Sequence, residues 1–281
     1  MEQTRTGTRL ATLAVAALAL CLFGAAAGAS KRDPSEALLE RRAAMLELLH
    51  QQAEIALVTA AQDRSFEAYF HATDDAERDH ARGHLERMTA NMKATFAVDG
   101  VCLVGTDGTE IASTSVAPDG DDATEAAFFR DAFQGPARHV YLSPIFISPD
   151  SRRWVVSYAT PIVVDGFIRG ILHYEYALEK FQEALADSPD GIVGYLLIVD
   201  PDGWVIADSR KRIDMRQHGD SVAPADYFAK FEWQGIGLAD LQVHLGRDGG
   251  AMHRVMQGPD GSYRIDQRVV RGWTLLLFEK V

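Results

Sequence analysis

The sequence predicts an α+β protein: a long N-terminal helix followed by two tandem units, each a five-stranded antiparallel sheet flanked by helices. The first observation behind this is a repeat. Val101 to Thr114, VCLVGTDGTEIAST, returns ninety-five residues later as Leu196 to Ser209, LLIVDPDGWVIADS, with five of fourteen positions identical. Each copy reads as strand, Asp-Gly turn and strand, because Asp-Gly supplies the positive φ angles that a tight hairpin needs. The second observation is an echo at the far end of each copy, Val164 to Phe167 (VDGF) against Val270 to Trp273 (VRGW), each followed by an apolar run. The third is an apolar stripe at helical spacing ahead of both copies, Leu39, Ala43, Leu46, Leu49, Ala53, Leu57 and Ala60.

Residues 1–29 carry Arg5 and Arg9 ahead of the apolar run Leu10 to Phe23, then small residues with Ala27-Gly28-Ala29 as a cleavage site. That is the pattern of an export signal. The alternative is an uncleaved anchor, since Leu10 to Ala29 is just long enough to span a bilayer; Cys21 raises lipidation, though Leu20 before it is a poor residue for that. All three place the folded part outside the cytoplasm, periplasmic or secreted, or membrane-anchored if the leader stays. The helical segment, residues 30–98, starts at Asp33-Pro34-Ser35-Glu36 with Asp33 as N-cap and Pro34 at the first helical position. If the first helix runs to Phe70 it is about 55 Å long. A second covers Ala76 to Val98.

The first unit, residues 99–187, then reads as the hairpin, a helix over Thr124 to Phe133, strands Arg138 to Phe146, Trp154 to Val163 and Phe167 to Tyr176, and a helix over Leu178 to Ala186. The second, residues 188–281, reads as the copied hairpin, a helix near Ala225 to Phe231, a loop-rich stretch to Gly250, and strands Met252 to Gln257, Tyr263 to Val270 and Trp273 to Lys280.

At 47% apolar and 24% charged the chain can bury a real core. Its net charge of -12 argues against a nucleic-acid partner. Cys102 alone among cysteines follows the leader, so no intrachain disulfide is expected. GxSxG, HExxH, P-loop and CxxC patterns are absent, and no enzyme, cofactor or metal site is expected. His80 and His84 stand at i and i+4 but lack an evident third ligand. Asp119, Asp121 and Asp122 lack the ligand spacing of a calcium loop.

The run FFRDAFQG, with HVYLSPIFISPDSRRWVVSYATPIVVDGFIRGILHYEYALEKF after it, stands behind a long helix and inside two successive PAS-like units. It resembles the double Cache (dCache) extracellular sensor domains of chemoreceptors, histidine kinases and cyclic-nucleotide signalling proteins, over about residues 34 to 281. The resemblance implies a small-molecule ligand in the first, membrane-distal-type unit and no catalysis. Such sensors continue into a transmembrane helix and an output domain; this sequence does not, so a separate membrane-bound receptor or kinase is the expected partner, with a homodimer through the N-terminal helix. Amino-acid-binding members share a motif RxWYxxA, a later YxD and an Asp on the final distal strand. Here the first falls on Ala126 to Ala132, with Ala126 at the Arg and Phe128 and Phe129 at the aromatics. The second falls near Ile145 to Ile147 without an acid, and only Glu175 matches the last. An α-amino acid needs both a cationic fork and an anionic partner, so a typical amino-acid ligand is not expected.

Period-two alternation puts Trp154, Val156 and Tyr158 on one strand face, and Ile171, His173 and Glu175 on one face of the next. If those faces line one pocket, an acid among aromatics suits a small amine or other cation. Phe128, Phe129, Tyr141, Trp154, Tyr158, His173 and Glu175 are the candidate ligand-binding residues. Two alternatives stand beside this. The aromatics fill a core with Glu175 paired to Arg152 or Arg169, or the units have lost ligand binding and the protein is an envelope assembly accessory.

Overall fold

A computed structural model describes residues 33–114, 127–149, 151–183, 194–216, 219–245 and 254–281, with the side chains of Ala127 and Phe128 outside the description. The leader, the Asp119 to Asp122 loop and the boundary expected at 187/188 lie outside it too.

Helix α1 spans Pro34–Ala60, about 40 Å, and Asp33 caps it by accepting from the Ser35 amide at 2.9 Å. Its stripe buries Leu39, Ala43, Leu46, Ala53 and Leu57 against both sheets. Each buried leucine contributes roughly 1.5–3 kcal/mol. The helix does not continue to Phe70. It stops at Ala61, and α2 (Arg64–His71) restarts under its own cap, Asp63 accepting from the Ser65 amide. Helix α3 (Asp75–Phe96) ends at Ala97 in the left-handed region, φ 51°.

The first sheet contains β1 (Gly100–Gly105), β2 (Glu110–Ser113), β3 (Tyr141–Leu142), β4 (Phe146–Ile147), β5 (Trp154–Val164) and β6 (Phe167–Ala177), in the order β2-β1-β6-β5-β3, with β4 also on β5. The expected strand from Arg138 to Phe146 is thus two short pieces, parted at Ser143-Pro144, where proline cannot donate to a ladder. Helix α4 (Ala127–Gln134) covers one face, and α5 (Glu179–Glu183) follows β6.

The second sheet has the order β11-β12-β13-β7-β8, from β7 (Gly194–Val199), β8 (Val205–Asp208), β11 (Arg254–Gly258), β12 (Gly261–Val270) and β13 (Trp273–Lys280). Between its two parts, the helix expected near Ala225 to Phe231 is only a 3-10 turn at Pro224–Asp226. The stretch read as loop holds a hairpin, β9 (Glu232–Trp233) and β10 (Ile236–Gly237), and helix α6 (Leu238–Leu245).

The repeated hairpins share their strand-closing bonds and turn geometry. Val101 and Leu196 each donate to a hydroxyl, of Thr114 and Ser209, at 2.9 and 2.8 Å. Gly108 and Gly203 turn at φ 83° and 84°. Both pairs of strands carry a β-bulge, at Leu103/Val104 and at Ile198/Val199. A repeat seen as side-chain identity is therefore a repeat of backbone geometry. Among the described residues no helix is long and apolar enough to cross a membrane.

Candidate ligand site

Strands β5 and β6 meet at a two-residue turn, Asp165-Gly166, with φ 54° and 80°. A regular hairpin from that turn would set Tyr158 opposite His173. A bulge at Ile162/Val163 shifts the register by one, so the observed partners are Ser157 with Glu175, Ala159 with His173, and Pro161 with Ile171. Side chains alternate strictly across a strand, so a one-residue slip exchanges the faces.

The consequence corrects the expected site. Trp154 and Tyr158 lie on the opposite face from His173 and Glu175. The Trp154 ring is fully buried and meets Tyr227 and Phe228 of the second unit edge-on, with centroids at 5.1 and 4.9 Å. Tyr158 points to α1, its hydroxyl 2.6 Å from Nδ1 of His50. Both are junction residues.

The other face brings together Gly100, Cys102 and Val104 of β1, Ser157 and Ala159 of β5, and Ile171, His173 and Glu175 of β6. Phe129 of α4 packs on Val104, Ala159 and Ile171, and Tyr141, paired with Ala159, joins them. Four of the expected residues, Phe129, Tyr141, His173 and Glu175, therefore share one face. Phe128 has no described side chain.

This face is polar at one end and apolar at the other. Ser157 Oγ stands 3.3 Å from His173 Nδ1, and the Ser157 amide donates to Ser143 Oγ at 2.8 Å. Burial lowers the His173 pKa to about 4, so the ring is neutral near pH 7. Burial, then the hydrogen bond and charge of Asp131, raise Tyr141 to about 12, so its phenol stays protonated. Glu175 is 4% exposed, and its carbonyl accepts from the Asp99 amide at 2.9 Å. Cys102 is partly buried beside His173, its sulfur 3.5 Å from Glu110. Sequence periodicity missed Gly100, Cys102 and Ser157 because it lacked the bulge; counting pairs across β1 would have found the first two.

The second unit supplies an internal comparison. Val104 pairs with Ile171, and its repeat counterpart Val199 pairs with Thr274. Stepping down both ladders, His173 answers to Leu276, Glu175 to Phe278, Ser157 to Ile265 and Gly100 to Tyr195. Those second-unit residues form an apolar core with Trp233 and Leu241. The same face of the same fold is polar in one copy and plugged in the other.

Elsewhere, a 510 Å³ groove beside β8 is lined by Arg210, Lys211, Arg212 and Lys230 among others. Arg210 is held bidentate by buried Asp208, and Lys230 lies over the Trp204 ring, so those two charges serve the second unit itself. His80 and His84 touch edge-on, centroids 5.0 Å apart, and no group of metal-ligating side chains occurs among the described residues.

No protein-family model and no curated protein sequence matches the chain. Solved structures do. The sensory domain of the Campylobacter jejuni chemoreceptor Tlp3 with isoleucine bound superposes at a TM-score of 0.68, with 13% identity over 88% of this chain and 91% of that one. The sensor domain of the Vibrio cholerae histidine kinase DctB gives 0.58, with 15% identity over 88% and 95%. The ligand-binding domain of the Pseudomonas fluorescens chemoreceptor CtaA in complex with L-serine gives 0.56, with 15% identity over 87% and 95%. Matched along nearly nine-tenths of its length, the chain has the fold of the double Cache extracellular sensor domains.

Proposed function

We propose that this protein is a small-molecule sensor that binds a small amine or other cation on the outer face of its first sheet, and that a membrane-bound receptor or kinase reports the binding. The observation that carries the reading is the internal comparison: Ser157, His173 and Glu175 stand where the second unit has Ile265, Leu276 and Phe278. Burying a carboxylate and an imidazole costs stability that an apolar core avoids, so their presence in one copy alone argues for a function. The solved relatives of this fold include domains of chemoreceptors and of a histidine kinase, which supports a sensory role and such a partner.

The chemistry of the face favours a cation. A carboxylate presents acceptors only and a neutral imidazole one acceptor beside one donor, while Phe129, Ile171 and Val104 suit an apolar body. The position that resembles the carboxylate-binding arginine of amino-acid sensors is Ala126. The fully exported location is part of the same proposal. So is a homodimer through α1, whose outer surface exposes Met45, Leu48 and Ile55 at 42, 40 and 67%.

A thermal-shift screen of the full chain with primary amines, organic acids, purines and amino acids tests this. A cation at a hundred times its dissociation constant is expected to add about 2.7 kcal/mol of stability. Glu175→Gln is expected to weaken that cation about tenfold or more while the protein stays folded. A response confined to anions, or an amine affinity unchanged in Glu175→Gln, contradicts the proposal.

A further inference from the structure

We propose that Gly100 sets the size of the first-unit site, the head of the ligand taking the volume that the Tyr195 ring fills in the second unit. This rests on the reading of the first unit as a site for a small cation, and adds the residue that decides what fits.

Tyr195 and Phe278 are cross-strand partners whose rings stack at 4.6 Å with 9° between planes. Trp233 lies 5.8 Å from Phe278, and the Arg210 guanidinium covers Tyr195 at 3.9 Å. That stack closes the face of the second sheet. At the matching pair of the first sheet the stack is gone, replaced by Gly100 and Glu175.

Gly100 opens β1 directly opposite buried Glu175, and its lack of a side chain there calls for a reason. Two ordinary reasons fail here. The backbone at Gly100 is not in the left-handed region, since its φ is absent from the positive values found at glycines such as Gly108 and Gly203. Nor does a neighbouring backbone crowd it. A Cβ at Gly100 would meet only the Glu175 carboxyl among the described residues, Oε2 at 3.3 Å and Cδ at 3.8 Å. At Gly170 of the same sheet, by contrast, a Cβ would fall 2.6 Å from the Val104 carbonyl oxygen, a true steric requirement. What glycine does at position 100 is let the buried Glu175 carboxyl approach closely, so that even a methyl group would have to push it aside by a few tenths of an ångström, while no other described group apart from the chain neighbours comes within 4 Å. A side chain there would take the place of whatever that carboxylate binds. The room suits a compact cationic head, an ammonium or a methylated ammonium, whose body then lies toward Val104, Phe129 and Ile171.

The test is a graded series, Gly100→Ala, Gly100→Val and Gly100→Phe, in the full chain, with Glu175→Gln beside it. Melting temperature is read first, then calorimetric titration with ethylamine, putrescine, choline and histamine. The expected result is that all three variants melt within about 5 °C of the parent, as substitution without overpacking allows, and that affinity for the amines falls stepwise with side-chain size, at least tenfold by Phe. Gly100→Ala melting more than about 5 °C lower would show that packing requires the glycine, and overturns the proposal whether or not an amine binds. Amine binding that is lost in Glu175→Gln but unchanged across the series overturns it too, while leaving the cation site standing. If none of the four amines binds the parent, the cation reading fails; melting temperatures held through the series then still support room at Gly100, and a stepwise fall in them removes it.

Discussion

His50 shows how one residue can carry a load at the junction of the units. It is 1% exposed in the middle of α1, bonded to Tyr158, with its ring edge-on to Trp273 at 5.4 Å and near Phe181 at 6.2 Å. Burial lowers its pKa to about 4, against an opposing pull from Glu47 and a smaller push in the same direction from Arg271. The unfolded chain binds the proton near pH 6.5 and the folded chain resists it, so stability is fully present above that value and is lost as pH falls toward 4. For His50 the loss amounts to roughly 3 kcal/mol across that window. Urea denaturation of His50→Gln, which carries no charge at any pH and keeps a polar group toward Tyr158, is expected to give a shallower fall between pH 7 and 4.5. An equal slope in both proteins would mean that His50 does not set it.

At the scale of elements, α1 is fastened to the second sheet by charge as well as by its apolar stripe. Asp33, Glu40, Glu47 and Glu54 recur every seven residues along one side of the helix. Arg264 pairs with Asp33, Arg268 with Glu40 at 2.9 Å, and Arg271 with Glu47 at 3.1 Å and Glu54 at 2.6 Å. Arg271 is also one of the two left-handed residues of the β12–β13 turn, φ 52° beside Gly272 at 84°, so the turn itself aims the guanidinium. Because these side chains are partly solvated, Arg271→Ala is expected to cost only about 1 kcal/mol at low salt and less at 1 M NaCl; a loss independent of salt would point to packing rather than charge. This ladder was legible in principle, since acids at heptad spacing and three arginines near one turn are all in the sequence. The helix start at Asp33-Pro34 and the duplicated hairpins could likewise be read directly, because caps and Asp-Gly turns are local. The break at Ala61 was hidden by alanines that extend the apolar pattern, although Asp63-x-Ser65 repeats the cap of Asp33-x-Ser35. The bulge opposite Ile162/Val163 leaves Arg169 as the extra residue, and its one local mark is Gly170, the partner of Ile162, which a count of alternating apolar positions does not read. It therefore inverted the face assigned to Trp154 and Tyr158 while leaving every strand in its place.

Across the whole molecule, site and junction lie back to back on the same two strands. Ser157 and Glu175 face outward, whereas their chain neighbours Tyr158, Tyr174 and Tyr176 face α1 and the second unit. The units are further tied by Gln182, whose amide both donates to the Ile213 carbonyl at 2.9 Å and accepts from its N–H at 2.8 Å, as a strand backbone would. Under the proposed function, a ligand on one face of β5 and β6 would bear on the elements that hold the units together from the other. Amide-resolved NMR of the full chain during titration with the strongest-binding amine tests the central claim most directly. The account predicts shifts concentrated at residues 100–104, 157–159 and 171–175, with smaller ones at His50 and Tyr158. Shifts centred instead on Tyr195, Leu276 and Phe278, or on the groove beside β8, would contradict it.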